Sequence, residues 1–343
     1  MIQKEEWQTH TQQGLVMHRL SVAPMLDWTD RHCRYFHRLL SQSALLYTEM
    51  VTTGALIHGD VGRHLRFNAE EQPVALQLGG SEPGELALCA RLGQQWGYSE
   101  INLNCGCPSE RVQRGAFGAC LMREPNLVAD CVKAMVDVVT VPVTVKHRIG
   151  IDQVESYDFV RDFVGTVSQA GCTTFIAHAR NAWLKGLSPK DNREIPPLRY
   201  EWVYRLKRDF PDLVFVINGG ITTTEQVRAH LANVDGVMLG REAYHNPWWL
   251  QDWDALFVDD GQLPLPSQAP SLLTATREDV EQKMVDYMVR QHTSHAVPWP
   301  SIARHMLGLR HGLPGARHWR RVWSDHSLKH LPPQQVMAQA HRV

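Results

Sequence analysis

Short runs of apolar, often β-branched residues alternate along most of this chain with longer segments of helical period. The runs predict strands at 20–25, 45–50, 74–78, 100–104, 141–147, 174–178, 213–218 and 236–239. Helical patterns lie between them at 30–40, 83–96, 125–138, 157–169, 200–209 and 224–231, with Thr29 and Asp30 placed to cap the first. Continuous apolar strands separated by helices imply a parallel sheet covered on both faces. Eight of them imply a closed (β/α)8 TIM barrel rather than an open doubly wound sheet. No Gly-x-Gly-x-x-Gly follows the first strand, which argues against a dinucleotide-binding unit.

The pattern breaks near 256–270. Residues 259–270, Asp-Asp-Gly-Gln-Leu-Pro-Leu-Pro-Ser-Gln-Ala-Pro, read as a linker. Helical patterns resume at 276–291 and 301–309, and a basic segment follows around 317–323. This predicts a catalytic barrel over 1–255, a linker over 256–270 and a small all-helical C-terminal domain over 271–343. The length of 343 residues suits a barrel of about 250 residues with an appendage.

Composition narrows the class. With 43% hydrophobic and 21% charged residues the chain is globular, and no apolar run reaches the roughly 18 residues of a membrane helix. The polar segment 1–13 lacks the apolar core of a signal peptide, so the cytoplasm is expected. Seven scattered cysteines fit reduced thiols better than a disulfide framework. Net charge is −1, but residues 290–343 hold eight Lys/Arg against one acidic residue, leaving 27 against 35 elsewhere. A basic module on a mildly acidic body points to a polyanionic ligand near the tail.

Most strand candidates end in polar or Gly-rich residues, at the C-terminal mouth where barrel enzymes keep their sites. Asn218-Gly219-Gly220 and Gly240-Arg241 follow the last two strands, where glycines let backbone N–H groups approach a phosphate and Arg adds a charged fork. Lys146 ends the fifth strand; it could form a Schiff base or hold an anionic ring. His178 ends the sixth. Gln77 offers an amide to a heterocycle edge, and Pro24-Met25 a shelf for a flat ring. Each of these also has a plain structural reading as turn glycine, surface lysine or satisfied core side chain.

Cys105-Gly106-Cys107-Pro108 allows three readings. There is no second Cys pair and the spacing is tighter than Cys-x2–4-Cys, so no metal is expected. A redox disulfide would need a Cys-x-x-Cys-like arrangement at a helix start. A single thiol used as an acid fits best, since a free thiol with a pKa of ~8.5 is mostly protonated at neutral pH.

Together the motifs resemble the tRNA-dihydrouridine synthases, within them the A subfamily. The matching pieces are Ala23-Pro-Met-Leu-Asp-Trp-Thr-Asp30, Tyr47-Thr-Glu-Met-Val-Thr-Thr-Gly54, Ala75-Leu-Gln-Leu-Gly-Gly80, Asn102-Leu-Asn-Cys-Gly-Cys-Pro-Ser109, 115–122, Val145-Lys-His-Arg-Ile-Gly150, His178-Ala-Arg180, Leu187-Ser-Pro-Lys-Asp-Asn-Arg-Glu-Ile-Pro-Pro197, Asn218-Gly-Gly220 and 237–241, then Arg304-His-Met-Leu-Gly308 and Pro314-Gly-Ala-Arg-His-Trp-Arg-Arg321. The resemblance spans roughly 19–325. It implies FMN in the barrel mouth, NADPH as reductant, and a uridine flipped out of the tRNA D-loop, with positions 20 and 20a suggested by the subfamily. Hydride from the flavin N5 would reach uracil C6, and the Cys before Pro, Cys107, would give C5 its proton. Cys105 and His147 depart from the expected pattern, Cys105 as a spectator.

By the same resemblance Pro24, Met25, Leu26, Gln77, Lys146, His178, Asn218, Gly219, Gly220, Gly240 and Arg241 belong to the FMN site. Asn104, Lys190, Arg193 and Arg304 are assigned to tRNA. Arg317, Arg320 and Arg321 are further tRNA candidates from charge alone. Trp319 is either a stacking platform or, as favoured here, a core aromatic of the tail. A monomer is expected. The competing readings are a flavin barrel acting on a free pyrimidine, which has no need of the basic tail, and an RNA-binding scaffold, which has no need of the thiol and flavin positions.

Overall fold

The computed structural model describes residues 17–109, 115–259 and 275–342. In the first part of the chain the strands are β1 (Leu20–Val22), β2 (Leu45–Tyr47), β3 (Val51–Thr52), β4 (Val74–Gly79), β5 (Glu100–Cys105), β6 (Val143–Arg148), β7 (Thr174–His178), β8 (Val214–Asn218) and β9 (Gly236–Leu239). All pairings are parallel, and β1, β2, β4, β5, β6, β7, β8 and β9 form a closed ring in that order. The TIM barrel read from the hydrophobic pattern is present.

Several strand ends differ from expectation by a residue or more, and three of these differences have a backbone reason. The ladder of β1 stops at Val22; Ala23 N–H makes a last bond to Leu239 O at 2.7 Å, and Pro24 has no N–H with which to continue. β6 starts at Val143, after Pro142, rather than at 141. The run 45–50 is split: β2 pairs the start of β4 and β3 pairs its end. Between them the Thr48 hydroxyl accepts from Gln77 N–H at 3.0 Å, satisfying the donor that a continuous strand would have paired.

Helices cover the barrel: α4 (Pro83–Gln95), α5 (Pro125–Val136), α6 (Tyr157–Ser168), α7 (Tyr200–Asp209) and α8 (Thr224–Leu231), with α2 (Thr53–His58) and α3 (Val61–Leu65) after β3. Proline at the first turn opens α4 and α5, where a missing N–H costs nothing. Side chains alternate across each strand. One buried set, Ala23, Leu45, Tyr47, Ala75, Ile176, Val214, Val216 and Met238, packs together as a core cluster. By the same alternation Gln77 shares a face with Ala75, and His178 with Ile176. The residues 100, 102 and 104 of β5 and 144 and 146 of β6 are polar, so this part of the interior is a hydrogen-bonded strip rather than an apolar one.

The described residues of 27–43 and 241–343 form a second compact unit. It holds α1 (Arg31–Leu40), α9 (Arg241–His245), α10 (Trp249–Asp259), α11 (Arg277–His295), α12 (Trp299–Ala303), α13 (Ala316–Trp323) and α14 (Pro333–Ala340). This grouping differs from a boundary drawn at 255 on composition. The reason is contact: Tyr35 stacks on Tyr287 with ring centroids 3.9 Å apart, and His32 Nδ1 meets the Tyr287 hydroxyl at 2.7 Å. The Asp254 carboxylate accepts from Gln42 N–H and the Ser41 hydroxyl. Asp30 caps α1, as read from the sequence. Of the linker expected at 256–270, residues 256–259 are the last turn of α10 and 260–270 lie outside the described residues.

The helix expected at 301–309 is shorter and earlier, α12, followed by turns. At Gly308 a Cβ would lie 2.6 Å from His245 O, a close approach that only glycine allows. Trp319 is a core residue of this unit, 2% exposed. Its indole N–H and that of Trp323 donate to Glu281 Oε1 at 2.7 and 2.9 Å, and His341 and Arg310 meet Glu281 Oε2 at 2.9 and 3.3 Å. Four donors on one fully buried carboxylate join α11, α13, α14 and the 304–312 turns.

Candidate active site

The turn after β5 is organised by Asn104. Its Oδ1 accepts from the N–H groups of Gly106 and Cys107, both at 3.0 Å, closing a side-chain turn over the two residues. Its Nδ2 donates to Gln77 Oε1 at 2.8 Å. Ala119 N–H donates to Cys107 O at 2.9 Å, and the Cys107 thiol donates to Ser109 Oγ at 3.4 Å. Cys107 is partly exposed, whereas Cys105 is fully buried. Burial, then the neighbouring thiols Cys131, Cys172 and Cys120, push the Cys105 thiol well above the usual range, which keeps it protonated and inert. The two cysteines of the motif therefore sit in different environments.

Cations gather beside this turn. Lys146 Nζ donates to Asn218 Oδ1 at 3.1 Å, and Asn218 Nδ2 donates to Met238 O at 2.8 Å. Burial, then the Arg148 cation, pulls the Lys146 ammonium down to about 7, with Cys107 pulling the other way. Arg148 donates to Gly106 O at 3.2 Å and to Asn192 O at 2.9 Å, tying the cysteine turn to the loop that carries Lys190 and Arg193. Burial holds His178 well below its ordinary value, reinforced by Arg148, Lys146, Arg180 and Arg193. His178 is thus a neutral imidazole amid four cations.

Gly219 and Gly220 adopt φ of 119° and 70°, and a Cβ on Gly219 would lie 2.7 Å from His178 Cδ2. Only glycine fits that close approach. The Tyr200 hydroxyl donates to Gly219 O at 2.6 Å and holds the turn. A Cβ on Gly240 would meet Ala23 Cβ and Met25 Sδ, both at 4.0 Å, so the ends of β1 and β9 are adjacent. Pro24 and Met25 are half-buried there, and Leu26 is 63% exposed.

The structure thus brings Gln77, Asn104, Cys107, Lys146, His178, Asn218 and Gly219 to the C-terminal end of the barrel strands. Lys190 and Arg193 are exposed on a loop anchored by buried Asn192, whose side chain bonds the backbone of Trp183, Leu187 and Ser188. Arg241 and Arg304 belong to the second unit. Arg304 donates to Asp27 O at 2.6 Å and pairs with Asp30 at 2.9 Å, so it braces the cap of α1. Arg317, Arg320 and Arg321 are exposed on α13.

A model of the dihydrouridine synthase family matches residues 21–342. The chain belongs to the dihydrouridine synthase family. It is 58% identical over 312 residues to the tRNA-dihydrouridine(20/20a) synthase of Escherichia coli (strain K12), covering 91% of this chain and 87% of that protein. It is 57% identical over 311 residues to the protein of that name from Pasteurella multocida (strain Pm70), covering 91% of each. The Vibrio vulnificus (strain CMCP6) protein is 55% identical over 323 residues, covering 94% and 95%. Among solved structures, a 2-naphthoyl-CoA reductase complex shares the fold at a TM-score of 0.53 and 12% identity, over 71% of this chain and 50% of that one.

Within this synthase, sequence reasoning passed over Glu100, Asn102, Thr144 and Arg148 as functional groups. All four are buried and polar. The signal was available: a barrel strand buried on both sides has no reason to carry a polar residue at every second position. No described helix is long and apolar enough to cross a membrane.

Proposed function

We propose that this synthase reduces the C5–C6 double bond of uridines 20 and 20a in the tRNA D-loop, using FMN and NADPH, as a cytoplasmic monomer. The observation that carries this is the Asn104-held turn presenting the partly exposed Cys107 beside the Lys146–His178–Asn218–Gly219 cluster. The relatives' names supply the substrate and its positions.

The residues fit FMN. The charges that bear on His178 are all cations, which suits an anion. The glycine turn packs its backbone directly against His178, where a Cβ on Gly219 would collide. Gln77, held at both ends of its amide, keeps one further N–H and one lone pair for a heterocycle edge. Pro24 to Leu26, Gln77, Lys146, His178, Asn218 to Gly220 and Gly240 with Arg241 would hold the cofactor. When bound and reduced by NADPH, FMN supplies the hydride for uracil C6.

The chain's own part is positioning and proton delivery. Cys107 gives its S–H proton to C5 as C6 is reduced, and the resulting thiolate takes a proton from solvent. The Asn104 bonds to the turn fix where that thiol sits, and the Lys146 and Arg148 cations stabilise negative charge while C5 awaits its proton. Lys190, Arg193, Arg304 and the exposed arginines of α13 hold tRNA phosphates, a salt-sensitive grip. C5 and C6 are reachable only in a base taken out of its stack.

The test is mapping of dihydrouridine in tRNA from cells lacking the gene, with the purified protein added back alongside FMN and NADPH. Loss at 20 and 20a, restored by the protein, is expected. Unchanged modification at both positions would overturn the reading, and gel filtration of the full chain checks the monomer.

A further inference from the structure

A buried chain of side chains runs along the polar strip of the barrel to the cysteine turn. Glu100 Oε1 accepts from the hydroxyls of Thr144 at 2.6 Å and Tyr47 at 2.7 Å, and Oε2 meets His18 Nε2 at 2.6 Å. Asn102 Nδ2 donates to Thr144 Oγ1 at 2.8 Å, and Gln77 Nε2 donates to Asn102 Oδ1 at 2.7 Å. Asn104 Nδ2 donates to Gln77 Oε1, and Asn104 Oδ1 accepts from Cys107 N–H. Glu100, Asn102, Thr144 and Gln77 are essentially without solvent exposure.

Direction in this chain follows from chemistry. A carboxylate only accepts, so the Thr144 hydroxyl must spend its one proton on Glu100. Its oxygen is then an acceptor, so Asn102 must turn its NH2 toward it and its carbonyl toward Gln77. Gln77 must donate to Asn102 and accept from Asn104. Asn104 is left with its carbonyl facing the turn, where it can receive the N–H of Cys107. Reversing any amide sets donor against donor at one junction and acceptor against acceptor at another. With water excluded, neither is relieved by solvent.

We propose that Glu100 and Thr144 are positioning residues for the reaction: they set the donor–acceptor direction of the Asn102–Gln77–Asn104 relay and so hold the Cys107 turn and the face that Gln77 offers to the flavin. His18 and Tyr47 hold the carboxylate in place from its other sides. The flavin part of this proposal rests on the function proposed above; the effect on Cys107 does not.

The test compares Thr144→Val, which keeps shape and removes the hydroxyl, with Thr144→Ser, which restores it. The full chain is used and its folding checked by circular dichroism and thermal melting. Two quantities are read: iodoacetamide alkylation of Cys107 without FMN, followed by peptide mass spectrometry, and the FMN dissociation constant. One lost hydrogen bond is worth about tenfold in an equilibrium constant. Thr144→Val is therefore expected to raise Cys107 alkylation and weaken FMN each by about tenfold, with Thr144→Ser within about twofold of the parent. Parent-like values in folded Thr144→Val, or an equal change in Thr144→Ser, would overturn the relay. If Thr144→Val does not fold, Glu100→Gln carries the test: an amide admits both directions, so alkylation should still rise, and an unchanged rate overturns the proposal. A parent protein that binds no FMN would sink the flavin reading while leaving the alkylation comparison intact.

Discussion

Replacing each cysteine of the motif by alanine separates the roles of the two thiols. In Cys107→Ala the turn should survive, because Asn104 and Ala119 hold the backbone N–H and C=O of residue 107, not its sulfur. What is lost is the proton for C5. Loss of a positioned general acid slows a step by about 10²–10⁴-fold, and that is the expected fall in dihydrouridine formation, with FMN affinity unchanged. In Cys105→Ala the deleted sulfur is fully buried and outside the reacting site. Stability should fall by about 1 kcal/mol from the small cavity, with the rate within about twofold. The assay is single-turnover reduction of unmodified tRNA by pre-reduced enzyme, quantified as dihydrouridine by nucleoside mass spectrometry. Equal loss in the two variants, or a parent-like rate in Cys107→Ala, would refute the single-acid mechanism.

Lys146 should make FMN binding pH-dependent: with the free-protein ammonium at about 7 against an ordinary 10.5, a bound anion favours the proton, so affinity holds below pH 7 and falls by up to about tenfold per unit above it. Titrations across this range should show the fall in the parent and not in Lys146→Met; a flat parent profile refutes it. For the same lysine without FMN, the unfolded chain binds more protons between 7 and 10.5, so this group's contribution to stability rises with pH over that window. Glu281→Ala should destabilise the second unit by about 3–5 kcal/mol, since it strands two indole N–H groups and leaves Arg310 without this partner; urea unfolding showing under about 1 kcal/mol would contradict this. Arg320→Ala with Arg321→Ala should weaken tRNA binding and reduce the slope of log affinity against log salt by about 2; an unchanged slope removes α13 from the interface.

Much of the architecture was legible because a parallel barrel writes itself as repeated buried strands. Val74–Gly79, Thr174–His178 and Val214–Asn218 were recognisable from apolar runs that no amphipathic surface strand would carry. Strand ends were less legible where one side chain or proline overruled the pattern, as at Thr48 and Pro24. The helix expected at 301–309 stops at Ala303, and the close approach of Gly308 to His245, far away in the chain, left no local trace.

The residue types at the site were equally visible, since Asn104, Cys107, Lys146 and Asn218-Gly219-Gly220 stand at strand ends and carry chemistry whatever surrounds them. Their partners were not. That Arg304 braces Asp30 depends on how the second unit packs, and that a carboxylate at position 100 directs an amide at 104 depends on which strands lie side by side and at what register. Local sequence determines where a strand begins and which alternate side chains share a face. Only closure of the ring, pairing Gln77 with Asn102 and Asn104 with Lys146, decided which polar groups would meet out of water and therefore which of them must donate.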